Sequence, residues 1–136
     1  MNLVPKRSVL LGLAAVGALL LTAAAVQAGE SGKPMIVKIH ADWCGTCTKL
    51  DTTFEELQLK LGSDAEIVVL DVTDKDAVDA SRARAEELGI VAFFDEYKGS
   101  TGTVGVLDAS GTTIVVMKGE MDAEKYVEAL KKAPEA

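Results

Sequence analysis

Two cysteines, with two residues between them, stand in a chain of 136 residues, and there are no others. They lie in Ala41-Asp42-Trp43-Cys44-Gly45-Thr46-Cys47, after an apolar run from Met35 to Ile39 and ahead of an amphipathic stretch. A strand that runs into Cys-x-x-Cys, with the motif opening a helix, is the arrangement that dithiol redox chemistry needs. The first turn of a helix leaves backbone N–H groups unpaired, and they carry about half a positive charge. A thiolate placed there is stabilised, so its pKa falls from ~8.5 towards neutrality. Cys44 then sits at the helix mouth as the attacking thiolate. Cys47, one turn further in, is the more buried thiol that resolves the mixed disulfide.

Three other readings of the pair are weaker. As a structural staple, a disulfide closing a two-residue loop restricts the unfolded chain very little. A tetrahedral zinc site wants four ligands, and His40 is the one obvious third. Two thiolates also suit a soft metal, so a module holding copper(I) or an iron–sulfur cluster is the rival to redox chemistry. The favoured reading needs no cofactor beyond a redox-active Cys44–Cys47 disulfide and assigns no metal site.

Residues 1–28 read as a secretory signal peptide. Lys6 and Arg7 form a positive start, Val9 to Ala25 is apolar apart from Thr22 and two glycines, and Val26-Gln27-Ala28 fits a cleavage site. An uncleaved membrane anchor is the alternative, with the apolar stretch at the lower limit for spanning a bilayer. Both place the remaining domain, 29–136, outside the cytoplasm. All 21 acidic residues follow position 28, and the whole chain already carries a net charge of −7. Such a domain is a poor partner for nucleic acid, which binds through cations that neutralise phosphates. An exported domain with no disulfide closing a long loop also points to chemistry as the purpose of the pair.

Periodicity orders the rest. Pro34 leads into a strand over Met35–His40, in which Lys38 and His40 alternate with Val37 and Ile39. From Cys44 to Leu61, the residues Leu50, Phe54, Leu57 and Leu61 recur at helical spacing, and Gly62 stops the helix. Glu66–Val72 has the continuous apolar core of a buried parallel strand. Thr73 or Asp74 caps a helix through Leu88 with Ala77, Val78, Ser81, Ala85 and Leu88 inward. Ile90–Tyr97 reads as a further short helix carrying core residues Phe93, Phe94 and Tyr97 on one side. Thr103–Leu107 and Thr112–Lys118 form a hairpin about Asp108-Ala109-Ser110-Gly111. Asp122 caps the last helix, with Met121 and Tyr126 at the positions of a hydrophobic staple. The expected architecture is an α/β unit of order β-α-β-α-β-β-α, a four-stranded mixed sheet flanked by helices, with the first two strands parallel and the final hairpin antiparallel.

Trp43-Cys44-Gly45-Thr46-Cys47 at the start of the first long helix, within this order of elements, resembles the thioredoxin fold in a minimal form. Gly32-Lys33-Pro34, Ala41-Asp42-Trp43-Cys44, Val69-Leu70-Asp71-Val72-Thr73 and Gly119-Glu120-Met121-Asp122-Ala123-Glu124 look most like the periplasmic C-terminal domain of DsbD-type disulfide reductases. The resemblance implies thiol–disulfide exchange in the periplasm. Electrons would come from a membrane thiol carrier and pass to client proteins with disulfides. It makes Cys44 the nucleophile, Cys47 the resolving thiol and Trp43 their aromatic shield. Lys38, His40, Gly45 and Thr46, read from their places around the pair and not from the resemblance, are the candidate tuning positions.

Departures from the family fall at defined positions. Six residues before the first cysteine the family has a buried acid that accepts the inner thiol's proton; here the residue is Lys38. Gly45-Thr46 replaces Gly-Pro, so the redox poise need not match the value of about −270 mV found for thioredoxin. The family also sets a cis-proline opposite the cysteines, whereas proline is absent here between Pro34 and Pro134. The aligned position is Thr101-Gly102. With 29–34 alone preceding the first strand, the family's extra N-terminal strand and helix are not expected in the mature domain.

Overall fold

The structure, a computed structural model, describes residues 32–134. The signal-peptide and anchor readings of the first 28 residues lie outside the described residues. Among the described residues, no helix is long and apolar enough to cross a membrane.

Strand β1 (Met35–His40) is central, pairing in parallel with β2 (Glu66–Asp71) and antiparallel with β3 (Thr103–Leu107). Strand β4 (Thr113–Lys118) adds antiparallel to β3, giving the order β2-β1-β3-β4. Helix α1 (Gly45–Leu61) and helix α4 (Ala123–Leu130) cover one face of the sheet. There Ile36, Val104 and Val106 meet Leu50, Phe54, Leu57 and Tyr126. On the other face lie α2 (Lys75–Glu87) and α3 (Val91–Tyr97), where Val37, Ile39, Val68 and Leu70 pack with Leu88, Ile90, Phe93 and Phe94. Strand β1 is apolar at four of its six positions and buried along nearly all its length, because both of its faces are covered.

The expected four-stranded mixed sheet and its strand directions are present. The element order carries two helices, α2 and α3, between β2 and β3, split at Gly89, where φ is +70°. One reading is corrected. Strand β2 is parallel to β1 as expected but is not buried along its length: it lies at an edge of the sheet, and Val69 is 48% exposed. Its apolar run answers to the helices over its inner face; among the described residues, its outer edge has no strand neighbour. Helix α2 is capped by Asp74, whose carboxylate accepts from the Ala77 N–H at 2.9 Å, and not by Thr73.

Cross-links bind α1 to the segment that returns over it. Thr53 donates its hydroxyl to the Met121 carbonyl at 3.0 Å, and Lys60 pairs with Glu124. The fully buried Tyr126 donates its hydroxyl to the Glu120 carbonyl at 2.7 Å, and burial pushes its phenol pKa well up. On the opposite face the tightest point is Gly105, in the middle of β3. A Cβ there would lie 2.3 Å from Phe93 Cε2 and 3.0 Å from Leu107 Cδ1. Both side chains are buried, and Phe93 also lies against Tyr97, with the rings tilted by 43° and their centroids 4.9 Å apart. Gly105→Ala is therefore expected to cost about 2 kcal/mol by overpacking. Urea unfolding checks this: a Phe93→Leu change added to Gly105→Ala should recover part of the loss, and an unchanged midpoint in Gly105→Ala would refute it.

Candidate active site

At its C-terminal end β1 turns through Ala41, Asp42 and Trp43, closed by a hydrogen bond from the Cys44 N–H to the Ala41 carbonyl at 3.0 Å. Cys44 is then the N-cap of α1, with extended backbone angles. Its Sγ accepts from the Cys47 N–H at 3.2 Å, and its carbonyl accepts from the N–H groups of Cys47 and Thr48. The helix thus begins at Gly45 rather than Cys44, and the first cysteine stands where unpaired helix donors converge. The two cysteines are joined in a disulfide with a Cα–Cα distance of 5.2 Å. Cys44 is 8% exposed and Cys47 fully buried, so an incoming thiol meets Cys44 first. Cys47 Sγ lies 3.7 Å from the carbonyl oxygen of Ile39.

Around the pair, the sequence-predicted positions separate. Trp43 is 67% exposed and donates its indole N–H to the Thr73 carbonyl at 3.1 Å. Gly45 faces open space. Thr46 turns its methyl towards Gly102 and Gly119: a Cβ on Gly102 would meet Thr46 Cγ2 at 3.1 Å and Cys44 Sγ at 3.9 Å, and one on Gly119 would meet Thr46 Cγ2 at 3.3 Å. Gly102 therefore lies beside Thr46 and Cys44. Its φ of +80° suits glycine, its N–H donates to the Ile39 carbonyl at 2.9 Å, and its carbonyl accepts from Gly119 at 3.0 Å. Among the described residues there is no cis peptide bond.

Lys38 and His40 lie on the α1 face of β1, and their surroundings differ. Lys38 is 2% exposed, so it does not snorkel to solvent. Its ammonium pairs with the half-exposed Asp51 carboxylate at 2.5 Å and lies 4.9 Å from the centre of the Phe54 ring. Where the family buries an acid on the strand, this chain buries a base there and carries the acid on the helix. His40 is mostly buried, with Nε2 3.3 Å from Asp42 Oδ1 and a buried Nδ1 that has no hydrogen-bond partner among the described residues.

Three residues of this site were not expected from sequence: Asp51, Asp71 and Thr73. Asp51 follows Cys47 by four residues and so shares its helix face, a spacing that was available as a signal. Asp71 Oδ1 accepts from the Thr73 N–H at 2.8 Å and from its hydroxyl at 2.6 Å. Burial pushes the Asp71 carboxyl up, but these two bonds and the nearby His40 outweigh it and hold the pKa below the usual carboxylate range. Among the described residues, no three His, Cys, Asp or Glu side chains gather in a metal-ligating group. A cavity of about 700 Å³ lined by Gln58, Ser63, Glu66 and Arg84 lies at the far end of β2, away from the disulfide.

Comparison with known proteins agrees with this geometry. The thioredoxin-like family model matches residues 20–95, more than half of the chain, and the chain belongs to that family. It is 32% identical over 81 residues to the chloroplastic thioredoxin Y of Oryza sativa subsp. japonica, covering 60% of this chain and 48% of that one. It is 36% identical over 64 residues to the protein disulfide-isomerase erp38 of Neurospora crassa, covering 47% of this chain and 16% of that protein. It thus spans about half the length of the first relative and far less of the second. Among solved structures, a thiol:disulfide interchange protein of the thioredoxin family from Chlorobium tepidum TLS is 26% identical, with a TM-score of 0.53 over 76% of this chain and 81% of that one.

Proposed function

We propose that this protein is an exported thiol–disulfide oxidoreductase that reduces disulfides in client proteins. The observation that carries the reading is the disulfide itself: Cys44 caps α1 and keeps a small exposed area, and Cys47 lies fully buried one turn behind it. In the reduced protein, the Cys44 thiolate attacks a client disulfide, forming one S–S bond and expelling a client thiolate. Cys47 then loses its proton and attacks Cys44 Sγ, closing the Cys44–Cys47 disulfide and releasing the second client thiolate. Two electrons pass to the client, and two protons complete its thiols. The oxidised protein is reset by a dithiol donor, for which a membrane thiol carrier is the candidate.

Export rests on the apolar, positively headed first 28 residues, and the DsbD-type relationship rests on the order of the four short segments that share its look. Within this reading Trp43 shields the pair, Thr46 and Gly102 form the wall beside Cys44, and Lys38 and His40 tune the charge beneath it. The soft-metal alternative uses the same two thiolates.

Reduced protein should precipitate insulin by cleaving its interchain disulfides, at a rate well above that of free dithiol alone. Equilibration with glutathione then yields the potential and the favoured direction of electron flow. Failure to reduce insulin, together with copper or iron in a fixed ratio to protein on purification, would replace the redox reading with the metal one.

A further inference from the structure

Thr73 ties the strand that ends beside the disulfide to the turn that carries it. Its hydroxyl accepts from the Asp42 backbone N–H at 2.9 Å and donates to Asp71 Oδ1 at 2.6 Å. Its own N–H donates to the same carboxylate oxygen at 2.8 Å, and its carbonyl accepts from the Trp43 indole at 3.1 Å. One residue therefore holds the two positions that immediately precede Cys44. The hydroxyl is not occupied in capping α2, because Asp74 does that. Packing alone does not orient Trp43, since two-thirds of it faces solvent. What fixes the ring is its polar edge on the Thr73 carbonyl.

A hydroxyl is the group this position requires, because the bond to Asp71 uses its proton and the bond from Asp42 uses a lone pair. Thr73 bonds to the Asp71 carboxylate through both its N–H and its hydroxyl, and His40 lies beside Asp71 in the β1–β2 register with Nε2 towards Asp42. We propose that Thr73, set by Asp71, is a positioning residue for exchange: it fixes the Asp42–Trp43 turn so that Cys44 arrives at α1 as the N-cap. The inference rests on the exchange reading for its effect on rate, while the placement of Trp43 is independent of it.

The test uses the full chain and two measurements. Trp43 is the sole tryptophan, so its emission in the oxidised and reduced protein reports the placement of that ring alone. The rate of thiol attack on a small aromatic disulfide reports Cys44. Thr73→Val should alter the emission and slow attack roughly tenfold, with Thr73→Ser within about twofold of the wild type. Asp71→Ala should do the same as Thr73→Val, and the double variant should be no worse than either, because they break one unit. If Thr73→Val does not fold, Asp71→Ala against Asp71→Asn, which keeps an acceptor oxygen, carries the same contrast. Wild-type emission and rate in Thr73→Val, or additive losses in the double variant, overturn the proposal. A wild-type protein with no exchange activity overturns the functional reading, and the emission contrast still decides whether Thr73 places Trp43.

Discussion

Cys44→Ser is expected to abolish exchange with any disulfide, whereas Cys47→Ser is expected to keep the first attack and stall after it. The difference follows from burial. Cys44 is the sulfur that a client can reach, and Cys47 has no exposed surface through which to be attacked. Without Cys47 the mixed disulfide has no neighbouring thiol to release it, so the variant should accumulate a covalent complex. That complex should run at the summed mass on a non-reducing gel and vanish on reduction. Helix geometry adds a second contrast, because Cys44 Sγ receives the Cys47 N–H and lies among the free donors of the first turn of α1. Its thiolate is stabilised where an interior cysteine's is not. Alkylation near neutral pH should therefore be fast in Cys47→Ser and slow in Cys44→Ser. A covalent complex trapped by Cys44→Ser and absent from Cys47→Ser would reverse the roles.

How much of this was legible beforehand depended on whether the deciding contact is local. The Trp-Cys-x-x-Cys motif, the helical spacing of Leu50, Phe54 and Leu57 and the turn about Asp108–Gly111 are written within a few residues, and each is found as read. The edge position of β2 was not legible, because its apolar residues report one covered face and say nothing of a missing neighbour. Lys38 could be placed beneath the motif by counting, but its burial and its partner depend on how α1 lies across β1. Asp51 is thirteen residues from Lys38, and its role appears only with that crossing in place. From sequence Thr73 is as good a helix cap as Asp74, because Ser, Thr, Asp and Asn favour such positions. Asp74 takes that place, which leaves the Thr73 hydroxyl for a turn some thirty residues earlier in the chain.

Asp51→Ala is expected to destabilise the protein by about 2–3 kcal/mol, whereas Lys38→Met should cost little or raise stability slightly. The asymmetry comes from where each charge would be left. Removing Asp51 strands an ammonium that is 2% exposed and leaves it over the Phe54 ring. Removing Lys38 leaves a carboxylate that is half exposed and hydrated, and Met fills the vacated channel with apolar atoms of similar length. Half exposure of Asp51 lets water screen the pair, which brings the first figure below the ~3–5 kcal/mol of a fully buried broken ion pair. Adding Lys38→Met to Asp51→Ala should recover most of the lost stability in urea unfolding, and no recovery would contradict the account. The same pair makes a prediction for the thiols. Lys38→Met deletes the positive end beneath the site and leaves the negative one, so it should raise the thiol pKa and slow exchange near neutrality. Asp51→Asn should act in the opposite sense. A change of one pKa unit corresponds to about 1.4 kcal/mol of thiolate stabilisation. Titration of thiolate absorbance in the three reduced proteins measures it directly. Superimposable curves would leave the Lys38–Asp51 pair as a device of folding, with no hold on the chemistry above it.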